Sequence, residues 1–246
     1  MTTLLIDGDG FAYNAAAAVE RATDWGGGIW TLHANEDEAL ARLDDALASV
    51  QEALGVKKIA VAVTDQGANF RNSVWPDYKG KRKLKRKPLV LPVMRQHLID
   101  NYSARLRPNL EADDVLGILA THPSIIKGEK IIVSADKDFF TIPGKFYRTT
   151  DPDKGVVDVS EEDADRAHLY QTLTGDTTDE YPGCPGIGPK KAKDILDKEC
   201  SWDAVVRTYE KYGLTEDDAI VQARCARILR STDYDFTKKE PILWTP

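Results

Sequence analysis

Four short stretches bring carboxylates to places where they can act together. LLIDGDG (4–10) ends an apolar run on Asp7 and Asp9, KIAVAVTD (58–65) ends on Asp65, and KIIVSADKD (130–138) carries Asp136 and Asp138. EADDVLGILA (111–120) opens an apolar helical pattern with Glu111, Asp113 and Asp114, the first and last sharing a face by their spacing of three. One acidic pair at a helix start is ordinary, because carboxylates favour the positive end of the helix dipole. Several strand-end carboxylates meeting in one place are different, since crowded like charges repel unless cations neutralise them. Magnesium or manganese suits such an all-oxygen set, and the absence of a histidine or cysteine cluster disfavours zinc.

The elements that must carry these acids are legible as alternating strands and helices. TTLLID (2–7), KIAVAVTD (58–65), SARLRP (103–108), KIIVSAD (130–136) and GKFYRTTD (144–151) read as short strands. Between the first two, residues 36–55 repeat Leu40, Leu43, Leu47, Val50 and Leu54 at helical spacing, with Gly55 as the stop. Alternation of this kind predicts a mainly parallel sheet flanked by helices. Ligands of such sheets sit beyond the carboxyl ends of the strands, where Asp7, Asp65 and Asp136 fall. From about residue 160 the pattern turns to helices and turns, giving an α/β core over 1–160 and a helical region over 161–246.

Composition narrows the function classes. The chain has 246 residues and 42% hydrophobic content, enough for one large core with an appended module. No apolar run approaches the ~20 residues of a membrane span, and no secretory signal opens the sequence, so a cytoplasmic protein with no membrane partner is expected. The three cysteines, Cys184, Cys200 and Cys225, lack paired zinc spacing and are expected to be reduced. A net charge of −7 weighs against nucleic acid only as an average. YKGKRKLKRKP (78–88) is strongly basic, and charge acts locally, within a Debye length of about 8–10 Å. Taken alone, the stretch is equally a solvated face. Trp25 and Trp30 flank a glycine-rich turn to which the sequence assigns no function, and Phe11 and Tyr13 are expected in the core.

GDTTDEYPGCPGIGPKKA (175–192) adds a turn in which Gly183, Gly186 and Gly188 can take positive φ angles and let backbone N–H groups approach a phosphate. Lys190, Lys191 and Lys193 follow it, within reach of neighbouring phosphates. Two resemblances compete. LLIDGDG resembles the start of haloacid-dehalogenase phosphatases, but Phe11 stands where that family keeps a threonine. The longer resemblance, over about residues 3–195, is to the 5′ nuclease superfamily of flap endonucleases and 5′ to 3′ exonucleases. It is carried in order by IDGDG, TDQGANFRNSVWPDYKGKRK, EADD, SADKD and the hairpin GxxGxGPKxA. The start DGDGF and the ending ARILRSTDYDFTKKEPILW resemble, within it, the exonucleases of short-tailed bacteriophages.

The resemblance implies a PIN-like core, a helical arch at about 66–95 and a helix-hairpin-helix motif at about 175–198. It assigns one metal ion to Asp7, Asp65, Glu111 and Asp113, and a second to Asp136, Asp138, Asp176 and Asp179, with Asp113 or Asp114 between them. Lys79 and Arg82 would stabilise charge at the scissile phosphate. Arg71, Tyr78, Lys81, Lys83, Lys85, Arg86 and Lys87 would hold DNA with the hairpin's glycines and lysines. The implied activity is two-metal hydrolysis of DNA from 5′ ends, with action on 5′ flaps and on RNA paired to DNA. A potassium ion at the hairpin and a monomeric state complete the expectation. The other class left open is a DNA-binding protein built on the same scaffold without catalysis.

Overall fold

The computed structural model describes residues 1–246 except the side chains of Lys83 and Leu84, so the expectation for Lys83 lies outside the described residues. Five strands form the central sheet: β1 (Thr2–Asp7), β4 (Ile59–Ala62), β5 (Glu129–Ser134), β6 (Gly144–Arg148) and β7 (Val156–Val159), in the order β4-β1-β5-β6-β7. All pairs are parallel except β6 with β7. The antiparallel edge strand β7 was not expected, because VVDV is short and lies close to a helix start. SARLRP contributes only one parallel rung, Arg105 against Ala62, before Asn109 turns left-handed at φ 63°.

Both faces of the sheet are covered, as parallel strands require. Alternation along β1 and β5 sends Leu4, Ile6, Ile131 and Val133 to one side. There they meet α1 (Gly8–Val19), α2 (Glu36–Leu54) and α4 (Leu91–Tyr102) through Ala12, Leu43, Leu47, Met94 and Leu98. Leu5 and Ile132 point the other way, onto Val115, Leu116 and Leu119 of α5 (Ala112–Thr121). Each such buried aliphatic side chain contributes about 1.5–3 kcal/mol. α2 stops as its sequence demands, with Gly55 at φ 64° closing the last turn.

Helices α6 (Glu161–Thr174), α7 (Pro189–Lys198), α8 (Trp202–Lys211) and α9 (Glu216–Ala226) enclose a separate apolar cluster of Leu173, Leu196, Val205 and Tyr209. After α9 the chain returns to the sheet, where Ile228 and Leu229 join the α5 cluster. Two small antiparallel ladders lie outside the central sheet: β2 (Arg21–Asp24) with β3 (Trp30–His33), and β8 (Tyr234–Asp235) with β9 (Glu240–Pro241). Between residues 66 and 95, before α4, the helical content is a four-residue α3 (Arg71–Val74) and a 3-10 turn at Gly80–Leu84. Lys79, left-handed at φ 54°, breaks the path between them.

Candidate active site

The chain passes from β1 into α1 through Asp7, whose carboxylate caps the helix by accepting from Gly10 N–H at 3.2 Å. Its other oxygen accepts from the Ser134 hydroxyl at the end of β5, at 2.8 Å. Gly8 makes this transition possible, because a β-carbon there would stand 2.6 Å from the Ala62 carbonyl oxygen. Glu111 caps α5 in a reciprocal box with Asp114. Asp136 accepts from Asp138 N–H at 2.9 Å and so starts the turn after β5. Asp176 and Asp179 lie in the turn after α6, where Asp176 accepts from Thr178 N–H at 2.6 Å.

These separate segments converge. Glu111, Asp113, Asp136, Asp138 and Asp179 line a cleft of about 50 Å³ together with Lys79 and Arg82. Asp7 and Asp176 lie close enough to act on it electrostatically. The volume admits a few waters or ions, so a larger ligand would have to lie over the cleft and present a single group at its mouth.

The charges in the cleft are crowded. Burial, then the neighbouring Asp7 carboxylate, pushes the Asp113 carboxyl well above the usual range. Burial and the Asp136 and Asp176 carboxylates push Asp138 up to about 7. Asp7 is also raised, by burial with a contribution from Asp136 against its two hydrogen bonds. Burial pushes Glu111 in the same direction, but the Lys79 and Arg71 cations beside it bring it down to about 2. The Lys79 ammonium contacts Glu111 and lies 3.3 Å from Asp179, whose other oxygen is 3.1 Å from Arg82. The basic segment 78–88, a strap beside the cleft, is fixed there by the Lys79 N–H, which donates to the Asp179 carbonyl at 2.9 Å.

Several sequence expectations need correction. Asp114 is fully buried, and both its oxygens are taken by Arg71, at 2.7 and 2.8 Å, so it is a structural partner and not a metal ligand. Arg71 is 2% exposed and also donates to Glu111 and to the Cys225 and Arg227 carbonyls, which rules out a DNA contact. Tyr78 is buried too, donating its hydroxyl within 3.0–3.1 Å of Glu111 and Asp179, so it cannot stack on a base. Asp65 lies outside the cleft lining and accepts from Asn109 and Gly67 N–H, bonds that hold its pKa below the usual range. Tyr13 is exposed, contrary to its expected place in the core.

In the glycine-rich turn, Gly183 is buried against Gly175 and gives its N–H to Gln222 at 2.9 Å, so it is not a phosphate ligand. Gly186 and Gly188 are exposed, Gly188 with φ −97° as the cap of α7. Lys190 is exposed, Lys191 folds back onto the Gly186 carbonyl at 2.8 Å, and Lys193 pairs with Asp197. On the strap, Lys81 pairs with Glu180 and Arg86 with Glu20, while Lys85 and Lys87 are exposed. Asp9 has no firm counterpart in the resemblance; it bridges the Thr64 N–H and Arg95 and ties α1 to α4. Tyr181, Cys225, Ala226 and Ile228 also line the cleft, and no motif marks them in the sequence.

Residues 2–170 match the family described as 5′-3′ exonuclease, N-terminal resolvase-like domain. The exonuclease of Escherichia phage T7 is 35% identical, in an alignment covering 99% of this chain and 93% of that protein. The chain belongs to the 5′-3′ exonuclease family. Among solved structures, the T5 5′-exonuclease with bound zinc superposes with a TM-score of 0.69 at 14% identity, over 92% of this chain and 89% of the other. The T5 D15 flap endonuclease in complex with DNA and metal ions gives a TM-score of 0.62 at 15% identity, over 92% and 93%. At these identities the superpositions speak for the fold. Family membership also removes the phosphatase alternative.

The nuclease has a donor set that suits a hard cation. Among the described residues, Asp138 Oδ1 is buried without a hydrogen-bond partner, in a cleft already crowded with carboxylates. No three histidine, cysteine, aspartate or glutamate side chains among the described residues are arranged, as they stand, to hold a metal ion. In this arrangement the Lys79 ammonium stands between Glu111 and Asp179 as the cleft's own counter-charge. Among the described residues no helix of the nuclease is long and apolar enough to cross a membrane.

Proposed function

We propose that this family member hydrolyses duplex DNA from 5′ ends, and 5′ flaps, with two magnesium or manganese ions held in the carboxylate cleft. The observation that carries the reading is the meeting of carboxylates from three chain segments beside Lys79 and Arg82, with Asp7 from a fourth close enough to act on Asp113 and a buried, unpartnered oxygen on Asp138. Asp7, Glu111 and Asp113 would hold one ion, and Asp136, Asp138, Asp176 and Asp179 the other. Two such ions, roughly 3.5–4 Å apart, supply an activated water and a stabilised leaving oxygen.

The chain's own residues do the rest. Ser134 fixes the Asp7 carboxylate, and the capping box fixes Glu111. Once their carboxylate partners serve cations, Lys79 and Arg82 are placed to donate to the scissile phosphate and stabilise its added charge. The exposed Lys85 and Lys87 contribute salt-dependent attraction for the DNA backbone. The exposed Lys190 offers a second phosphate contact. RNA paired to DNA falls within the same reading, as do a monomeric state and action in the cytoplasm of an infected cell. A potassium ion at the 183–188 turn would have to replace Lys191 on the Gly186 carbonyl. If exchanging potassium for a non-binding cation leaves affinity unchanged, that ion is removed from the account.

The test is a duplex labelled separately at its 5′ and 3′ ends, incubated with magnesium, the protein and an Asp136→Asn control. Early release of short 5′-labelled products, absent from the control, is the expected result. Bound but intact DNA with either metal would leave a scaffold that only binds.

A further inference from the structure

Each polar group of Thr64 is bonded to a different helix. Its N–H donates to Asp9 Oδ2 in α1 at 2.8 Å, its carbonyl accepts from Arg95 Nη2 in α4 at 2.5 Å, and its hydroxyl oxygen accepts from the Ala112 N–H at the start of α5 at 2.9 Å. Arg95 also pairs with Asp9, which closes the knot between α1 and α4. Thr64 stands just beyond β4, and its three partners are 55, 31 and 48 positions away in the chain.

The ends of these bonds matter more than their number. Asp9 follows Asp7 by two residues, and Ala112 lies between Glu111 and Asp113. The route from Asp9 through Thr64 to Ala112 therefore joins the main chain of the three carboxylates assigned above to one ion. It touches none of Asp136, Asp138, Asp176 and Asp179, assigned to the other. Asp136 is reached instead through Ser134, whose hydroxyl donates to Asp7 and accepts from the Asp136 N–H at 3.1 Å.

Electrostatics gives the knot something to resist. The Asp7 charge acts on the buried Asp113 carboxyl, and like charges in one cleft push their segments apart. A cation between them binds best to a separation already fixed, because ordering the site on binding weakens affinity. Bonds to the main chain meet that need and leave the carboxylates free to turn towards the ion.

We propose that Thr64, braced by Asp9 and Arg95, is a positioning residue that sets the distance between the Asp7 turn and the start of α5, and through it the affinity for the ion shared by Asp7, Glu111 and Asp113. The inference rests on the two-ion reading of the cleft. It singles out one of the two ions, and through Arg95 it links that ion's site to α4, the helix that follows the basic strap.

The test is manganese binding without DNA, followed by electron paramagnetic resonance, in the wild type, Thr64→Val, Thr64→Ser and Asp9→Ala, with Asp113→Asn and Asp138→Asn marking the two sites. Thr64→Val keeps the shape of the side chain and removes the acceptor for the Ala112 N–H. Thr64 and Asp9 are both half-buried, and circular dichroism checks that each variant is folded. Thr64→Val and Asp9→Ala should each weaken one ion on the order of 10-fold and leave the other within about twofold, and Thr64→Ser should restore wild-type binding. Combined with Asp113→Asn, Thr64→Val should cost less than the product of the two separate losses, and combined with Asp138→Asn the losses should multiply. Unchanged manganese binding in folded Thr64→Val overturns the proposal, and Asp9→Ala decides by the same readout if Thr64→Val does not fold. Equal weakening of both ions, the mark of a general loosening, also overturns it, as does a Thr64→Ser chain no better than Thr64→Val. If the wild type binds manganese and cleaves 5′ ends while the variants bind as it does, only the positioning role fails. If the wild type binds no manganese, the two-ion reading fails and the positioning role with it.

Discussion

Arg71 and Lys79 both touch Glu111, but their surroundings differ. Arg71 is 2% exposed, makes five hydrogen bonds and draws α3, α5 and the segment after α9 together. Lys79 keeps 17% of its side chain in contact with solvent and faces carboxylates that line the cleft. A guanidinium matches two carboxylate oxygens in a rigid fork, whereas an ammonium is a point charge on a flexible stem. The comparison teaches that an acid-base contact in this cleft is structural where the cation is sealed in and chemical where it can move. The same distinction separates Asp114, whose oxygens are filled by Arg71, from Asp138, which keeps a buried oxygen without a partner.

Removing each cation should give opposite phenotypes. Arg71→Ala leaves Asp114 charged and sealed, so unfolding in urea should show a loss of about 3–5 kcal/mol. Arg71→Lys should recover only part of it. Lys79→Ala should keep the fold to within about 1–2 kcal/mol but slow single-turnover cleavage of bound DNA by about 10²–10³-fold. Unchanged single-turnover cleavage with weaker binding would make Lys79 a binding residue only.

A third variant tests burial without a counter-charge. His168 is 2% exposed, donates Nε2–H to the Ala223 carbonyl, and is held down at about 4, chiefly by burial and then by Arg227. Its folded pKa lies below its unfolded one. The unfolded chain therefore takes up the proton first, and stability present above about pH 6.5 is lost as pH falls towards 4. Between pH 7 and 5 the wild type should lose about 2 kcal/mol more than His168→Gln. The smallest effect belongs to Lys81, which is 82% exposed beside Glu180. Lys81→Ala should change stability by less than about 1 kcal/mol and lower the salt slope of DNA binding by about 1.

The parts legible in the sequence were those encoded locally. Asp7 and Asp136 could be placed because each ends an apolar run, and α2 because five leucines and valines recur at helical spacing before Gly55. The Glu111 and Asp114 spacing was equally visible, but it describes a capping box as well as a pair of ligands. Only the fold decides, because Arg71 lies 43 positions away. Asp65 looked like its fellow strand-end acids until its oxygens met the Asn109 and Gly67 amides, a contact across 44 residues for the first. The β2–β3 hairpin escaped notice because RATD and WTLH alternate weakly and bury nothing, so they lack the apolar signal by which strands are recognised.

The central claim is that the cleft holds cations which drive hydrolysis at 5′ ends. Titrating manganese into the protein without DNA, while following free manganese by electron paramagnetic resonance, tests it most directly. About two manganese ions per chain should bind, be displaced by magnesium, and bind more weakly in Asp113→Asn and Asp138→Asn. Cleavage at 5′ ends should follow occupancy. Unchanged manganese binding in both variants, or full 5′ cleavage in the presence of a chelator, would contradict it.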